Sequence, residues 1–329
     1  MSDKQAPSLI QVTPGQCQKS LGSPSQTPQD TSPKPLPKID KNDLNPVMSR
    51  KGKSYSRVKL GHGDFGEVAL MQSRSDGSFM AVKRLTKVQN PHRARDEFAR
   101  ETQAMNAVSS SRAFPKFLGT VDQHSFAMEF IGNPDKRSSW SAYQMLGKIS
   151  RPMKSLDWLK VAMDVTKGLM DMHEAGWTYN DLHNNNVMVC RDPQDQSAAW
   201  EGKIIDLGFA HRIDNPPPPE HMTPKQKQHC YKHCVQLAPE IIEGTSQYNQ
   251  KSDVYSLGQL FLDFATASRR LSSLKALGKR CANKQPHMRP TLEEVLQELT
   301  VIYDHRKNQP RKRGALATLY RSLKKHIRA

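Results

Sequence analysis

The sequence is short of apolar residues, of acid and of cysteine, and each shortage excludes something. Of 329 residues, 36% are hydrophobic and 7% aromatic, and the mean hydropathy is −0.72. Even with its 18 glycines added, the apolar share stays below the roughly 45–50% of an ordinary globular chain, so part of the length is not expected to enter a core. No apolar run approaches the ~18 residues a membrane span needs, and the opening MSDKQAPSLIQVTPGQ lacks the basic-then-apolar layout of a secretion signal. A membrane-spanning or secreted protein is therefore not expected; nucleus or cytoplasm is. The five cysteines (Cys17, Cys190, Cys230, Cys234, Cys281) are odd in number and irregularly spaced, which argues against a disulfide framework. The shortage of acid, 32 Asp and Glu against 49 Lys and Arg, gives a net charge of +17. That excess points to an acidic partner only where it is concentrated.

Residues 1–50 are rich in Pro, Ser, Gln and Lys and show neither helical nor strand periodicity, which reads as a disordered tail. From Ser54 the texture changes to short β-like runs around a glycine loop, with Asp76-Gly77 as a hairpin signal. A helix is expected from about His92 to Val108, then two further β-like runs, FLGTV and SFAMEFI. After Ile131 the chain turns mainly helical. Leu156, Leu159, Met163, Val165, Leu169 and Met172 fall on one stripe between Leu156 and His173. The expected parts are a small β-rich lobe over 51–131, a mainly helical lobe over 132–304 and a tail over 305–329.

Four segments carry chemistry. In LGHGDFGEV, Gly61, Gly63 and Gly66 lie between two strand-like runs, where missing Cβ atoms let backbone N–H groups approach phosphate oxygens. The strand that follows disfavours a dinucleotide fold, in which a helix would follow. In MAVKRL, Lys83 is set on that next strand and can reach nucleotide phosphates if an acid holds it. Glu101 is the leading candidate and Glu97, one turn earlier, the alternative. In YNDLHNNNV, Asp181 can accept a hydrogen bond from an incoming hydroxyl and Asn186 offers an amide oxygen to a hard cation. In KIIDLGFA, Asp206 offers a carboxylate to the same ion. Each piece alone is ambiguous; the ordered set describes a phosphoryl-transfer site.

These segments together resemble the eukaryotic protein-kinase family, from about Ser54 to Leu299. The resemblance continues in LAPEII at Leu237–Ile242, SDVYSLG at Ser252–Gly258 and CANKQPHMRP with Arg289, elements that set protein kinases apart from small-molecule kinases. It implies an α+β, bilobal protein-kinase-like fold and an ATP- and Mg²⁺-dependent enzyme acting on protein Ser/Thr hydroxyls. Carried over by position, Gly61, Gly63 and Gly66 would cover the phosphates and Val68, Ala81 and Met188 would sandwich the adenine. Met128 would be the gatekeeper, and Glu129 and Ile131 would offer hinge backbone groups. Lys83, held by Glu101, would bind phosphate, Asp181 would be the base, and Asn186 and Asp206 would hold Mg²⁺. Glu240 and Arg289 would form a structural ion pair, and Asp253 would anchor the catalytic-loop backbone.

The departures are specific. Tyr179-Asn180-Asp181 replaces the family's His-Arg-Asp, so the arginine that pairs with a phosphorylated activation segment is missing and activity independent of that pair is expected. His183, counted with the catalytic residues, stands where Ser/Thr kinases usually carry a lysine, as it does in small-molecule kinases. Leu207 replaces phenylalanine as a mild variation that can still pack with Tyr179 and Met105. The short spacing from Gly258 to Arg289 implies a reduced substrate-docking helix. His229, Cys230, His233 and Cys234 lack a standard zinc spacing and read as surface residues. Two further readings remain open, a pseudokinase scaffold and a small-molecule kinase; the presence of Lys83, Glu101, Asp181, Asn186 and Asp206 opposes the first, and the Ala238-Pro239-Glu240 and Arg289 elements oppose the second. The charge is concentrated in residues 305–329, which hold nine basic residues and no acid. RKNQPRKR resembles a nuclear-localisation cluster, and Leu316, Leu319, Tyr320, Leu323 and Ile327 share one helical face. Expected roles for that tail are docking on the kinase lobe, nuclear import or nucleic-acid contact, or an anionic membrane surface.

Overall fold

The computed structural model describes residues 35–51, 54–63, 66–85, 91–133, 138–147, 153–191 and 199–308. The chain divides into a unit Met1–Pro35 and a unit Leu36–Ala329, and the fold is that of the second. Its first part is β-rich and opens with β1 (Leu44–Pro46), β2 (Met48–Lys51), β3 (Ser54–Arg57), β4 (Lys59–Gly63), β5 (Gly66–Ser73) and β6 (Phe79–Arg84). Helix α1 (Pro91–Ala107) follows, then β7 (Phe117–Asp122) and β8 (Ser125–Glu129). The strands run antiparallel in the order β1-β5-β6-β8-β7, with β4 against β5 and β2 pairing β3 as a separate ribbon. Gly77, at φ +73, makes the turn between β5 and β6 that Asp76-Gly77 predicts.

The helical part comprises α2 (Ala142–Leu146), α3 (Ser155–Glu174), β9 (Trp177–Thr178), β10 (Val187–Cys190), β11 (Glu201–Ile204), β12 (His211–Arg212), α4 (Pro224–His233), α5 (Pro239–Ile242), α6 (Gln250–Thr266), α7 (Ser272–Cys281) and α8 (Leu292–Asn308). Its axis is α3, whose Leu159, Val165, Leu169 and Met172 are buried while Leu156 and Met163 are half-buried at the edge of the same core. Trp158 on α3 packs against Phe264 on α6 with ring centroids 4.8 Å apart. Helix α6 is started by Asn249, whose side chain accepts from Lys251 and Ser252 N–H groups, satisfying donors that a helix start leaves open. Only Ala267, Ser268 and a one-turn 3-10 helix separate α6 from α7.

Two expected boundaries are corrected. Residues 36–50, read as part of the tail, belong to the small lobe. Leu44–Pro46 pair with Met71–Ser73, Thr120 N–H donates to Pro37 O, and Ile39 N–H donates to Thr120 O. Sequence patterning misses this because a three-residue strand and a single parallel bridge are too short to show a period, and Pro37 and Pro46 look like breakers. At the other end α8 runs to Asn308, four residues past the expected 304, carrying His305, Arg306 and Lys307 in its last turn, where cations face the helix C-terminus favourably. Arg306, Lys307 and Asn308 of the nuclear-localisation cluster thus lie in α8, while the rest of that cluster and the amphipathic stretch, from 309 on, lie outside the described residues.

Candidate active site

The glycine loop joins β4 to β5, with Asp64 and Phe65 outside the described residues. Its glycines differ in cause. A Cβ on Gly66, at φ +151, would lie 2.1 Å from Arg84 O, so packing of the sheet demands glycine there. Among the described residues no atom outside Gly61 and its chain neighbours lies within 4 Å of where a Cβ on Gly61 would sit. The fold leaves that room open, as a cradle for a closely approaching ligand requires.

Lys83 is held on β6 opposite Val68, in the β5–β6 register, and opposite Phe126 on β8. Its buried ammonium lies 2.6 Å from Glu101 Oε1 on α1 and 2.7 Å from Asp206 Oδ1. Burial opposes the charge on Lys83, but the two carboxylates outweigh it and leave its pKa raised; burial pushes the Glu101 carboxyl up, against the pull of Lys83. Both move up: the carboxylates hold the proton on Lys83, while burial makes the Glu101 carboxyl easier to protonate than an exposed one.

Asp181 and Asn186 come from the loop between β9 and β10. That loop is hung on α6: Asp253, fully buried, accepts the Tyr179 N–H at 2.9 Å, the Asn180 N–H at 2.8 Å and lies 2.8 Å from His173 Nε2. Tyr179 adds a bond from its hydroxyl to Ile205 O at 2.5 Å, and burial raises its pKa well above the ordinary phenol value, so the hydroxyl remains a donor. Asn186 Nδ2 donates to both Asp181 O and Asp181 Oδ2 at 3.0 Å. His183 Nδ1 accepts the Asn185 N–H at 3.3 Å, which leaves the neutral ring's proton on Nε2, 3.5 Å from Asp181 Oδ2. Asp206 sits at φ +62; its bonds to Lys83 and to the Gly208 N–H, the latter 3.3 Å, both fall on Oδ1.

This donor set fits a hard divalent cation. Asn186 spends its amide N–H groups on Asp181, which turns its oxygen elsewhere, and Asp206, with a side chain 37% exposed, keeps Oδ2 clear of protein donors among the described residues. Amide and carboxylate oxygens that leave room for water and phosphate are the ligands Mg²⁺ takes. Among the described residues no group of three or more His, Cys, Asp or Glu side chains could hold a metal, the His229–Cys234 cluster included.

The residues assigned to adenine lie on β5, β6, β8 and β10 and just after β8. Ala81 on β6 pairs with Met128 on β8, and both are buried with Ile131; Val68 and Met188 are half-buried on β5 and β10. The Glu129 N–H is already taken by Lys116 O at 2.9 Å, so its carbonyl is the group left to face a base. Leu207, Tyr179 and Met105 are buried in one core, as the mild reading of Leu207 expects. Arg289 and Glu240 meet in two bonds of 2.6 and 2.7 Å.

Three residues at the site escape sequence reasoning. Lys203 Nζ lies 3.1 Å from Glu129 Oε2, tying the end of β8 to β11. Gln236 Nε2 reaches Asp181 Oδ1 at 3.4 Å. Arg100 Nη2 donates to Gly208 O at 2.9 Å. Lys203 had the one usable signal, a lone cation opening the apolar run KIID; the other two sit in segments where polar residues are unremarkable.

Comparison with known proteins gives one consistent result. A family profile for the protein kinase domain matches residues 55–273. The chain is similar to the mouse dual specificity testis-specific protein kinase 2, 26% identical over 302 residues that cover 80% of this chain and 49% of the relative. It is also similar to the Drosophila melanogaster membrane-associated tyrosine- and threonine-specific cdc2-inhibitory kinase, 26% identical over 63% of this chain and 35% of the relative. A probable serine/threonine-protein kinase of Dictyostelium discoideum, roco5, is 24% identical over 70% of this chain and 8% of its own. The chain thus spans about half or less of the length of these curated relatives.

Proposed function

On the premise that this chain belongs to the protein kinase family, we propose that it transfers the γ-phosphate of ATP to Ser and Thr hydroxyls of proteins, with Asp181 as base. The observation that carries this reading is the bridge Glu101–Lys83–Asp206, because it joins a cation able to bind phosphate to a carboxylate able to bind a metal ion. Lys83 binds phosphate oxygens beneath the open cradle at Gly61, while Val68, Ala81 and Met188 enclose the base and the Glu129 carbonyl orients it. Asp181, oriented through Oδ2 by Asn186 and His183, receives the hydroxyl proton as the phosphoryl group leaves ATP. Asn186 and Asp206 would hold Mg²⁺, which neutralises phosphate charge when bound. Positioning and electrostatics of this kind supply most of the rate in phosphoryl transfer.

The acceptor has a second reading, supported by the names of two relatives: dual specificity, with tyrosine also phosphorylated. The purified chain, incubated with labelled ATP, Mg²⁺ and a peptide panel, tests both by phosphoamino-acid analysis. Phosphoserine and phosphothreonine alone support the first reading, phosphotyrosine beside them the second. Transfer to no protein, with nucleotide still bound, would favour a scaffold or a small-molecule kinase. The basic tail is proposed to address the enzyme to the nucleus through an import factor, or to an anionic surface; deleting residues 309–329 should change location and leave the transfer rate intact.

A further inference from the structure

Asn180 stands where the resembled family carries an arginine, and it has other work here. It is 4% exposed, adopts φ +73, and has its N–H fixed on Asp253 Oδ1 at 2.8 Å. Its side-chain Nδ2 donates to the carbonyl of Phe209 at 2.8 Å. From the opposite side Arg100 Nη2 donates to the carbonyl of Gly208 at 2.9 Å. These carbonyls lie two and three residues after Asp206, whose positive φ is a conformation that a residue with a side chain keeps only where its surroundings hold it. Arg100 is the neighbour of Glu101 on α1, so one helix supplies both the acid for Lys83 and the guanidinium for the turn after Asp206. Asn180 is the neighbour of Asp181, so the loop carrying the base also grips that turn. A buried guanidinium at position 180 would call for an anion to pair with it; the neutral amide needs none, its Nδ2 meeting a carbonyl while its Oδ1 stays buried without a partner among the described residues.

Resting on the kinase reading, we propose that Arg100 and Asn180 are positioning residues, one from each lobe, that clamp the backbone after Asp206 and hold its carboxylate ready for the cation with no phosphate on the activation segment. The clamp does by two neutral acceptors what a phosphorylated residue and an arginine would otherwise do. His211 Nδ1 lies 2.8 Å from the same Phe209 carbonyl; burial and the nearby Arg100 charge lower its pKa and favour the neutral ring, which adds a third donor to the turn.

The test compares the full chain with Asn180→Leu and Arg100→Met, which remove the donors, and with Arg100→Lys, which keeps one. Three quantities are read: hydrogen exchange of amides 206–212 in nucleotide-free protein, the Mg²⁺ concentration for half-maximal binding of a fluorescent ATP analogue, and phosphotransfer before and after phosphatase treatment. Exchange should quicken about tenfold in Asn180→Leu and Arg100→Met, with the Mg²⁺ requirement up severalfold and kcat down about tenfold at unchanged KM for protein substrate. Arg100→Lys should recover most of this, and phosphatase should leave the wild-type rate intact. Unchanged exchange and Mg²⁺ requirement in both donor-less variants, or loss of activity on dephosphorylation, overturns the proposal. If Asn180→Leu does not fold, Arg100→Met alone decides. A wild type that transfers no phosphate counts against the kinase reading, and exchange and Mg²⁺ binding then judge the clamp by themselves.

Discussion

Two buried ion pairs, Lys83–Glu101 in the cleft and Arg289–Glu240 beneath α6, look alike on paper and are built for opposite ends. Arg289 is closed. Its side chain is fully buried, and every N–H is spent: two on Glu240, one each on Lys251 O and Asn283 O at 2.8 Å, and one on Lys284 O at 3.4 Å. Lys83 is left open to chemistry, because its second partner, Asp206, is more than a third exposed at the mouth of the cleft. A saturated pair fixes one geometry and can do nothing else; a pair that shares its cation with an exposed carboxylate can exchange partners when phosphate arrives. The comparison separates a stability residue from a site residue by whether its partners are sealed from solvent, not by its own burial: Glu240 is 9% exposed and Asp206 37%.

Removing one partner from each pair should therefore break different things. Arg289→Met strands the Glu240 carboxylate and three carbonyls, and should cost about 3–5 kcal/mol of stability with little change in activity per folded molecule. Denaturant melts beside specific activity at low temperature check this, and a melt like the wild type's would dissolve the distinction. Lys83→Met should do the reverse, lowering phosphotransfer on the order of 10²–10³-fold with a smaller loss of stability, since Glu101, already pushed toward its neutral form by burial, can take a proton.

Lys203→Met probes a pair of intermediate kind, because its partner Glu129 is 42% exposed. A several-fold rise in KM for ATP at unchanged kcat is expected, in keeping with the roughly 1 kcal/mol ceiling of solvent-screened pairs. The smallest effect sharpens the account of the cleft pair. Glu101 has a raised folded pKa, so its contribution to folding is present below its ordinary value of 4.5 and is lost as pH rises through the raised value. The stability of wild type relative to Glu101→Gln should then fall as pH rises above 4.5. A relative stability that climbs with pH would mean that attraction to Lys83 outweighs burial.

Much of this was legible in order and spacing. Lys83 with Glu101 and Glu240 with Arg289 each meet as the resemblance implies, because residues 18 and 49 apart are brought together by strands and helices of the fold it implies. Asp253 is legible through the same resemblance, which implies that it anchors the catalytic-loop backbone, as its bonds to the Tyr179 and Asn180 N–H groups do. What the sequence hid is contact between backbone and side chain. The carbonyls of Gly208 and Phe209, the N–H of Asn185 and the edge pairing of Leu44 have no residue type to advertise them, and their partners Arg100, His183 and Asn180 read as ordinary polar residues until the chain is folded. The strand at Leu44–Pro46 was obscured further by a proline on a sheet edge, where it is tolerated because its missing N–H faces no partner.

The central claim is that Asp181 takes the proton from a protein hydroxyl in a cleft that Lys83 and Asp206 have prepared. The most direct test is the rate of phosphate transfer from labelled ATP to a protein or peptide acceptor by Asp181→Asn, measured beside its affinity for Mg²⁺-ATP. A fall in kcat of about 10²-fold or more with nucleotide affinity unchanged is the predicted result. Equal transfer by the wild type and Asp181→Asn would contradict it.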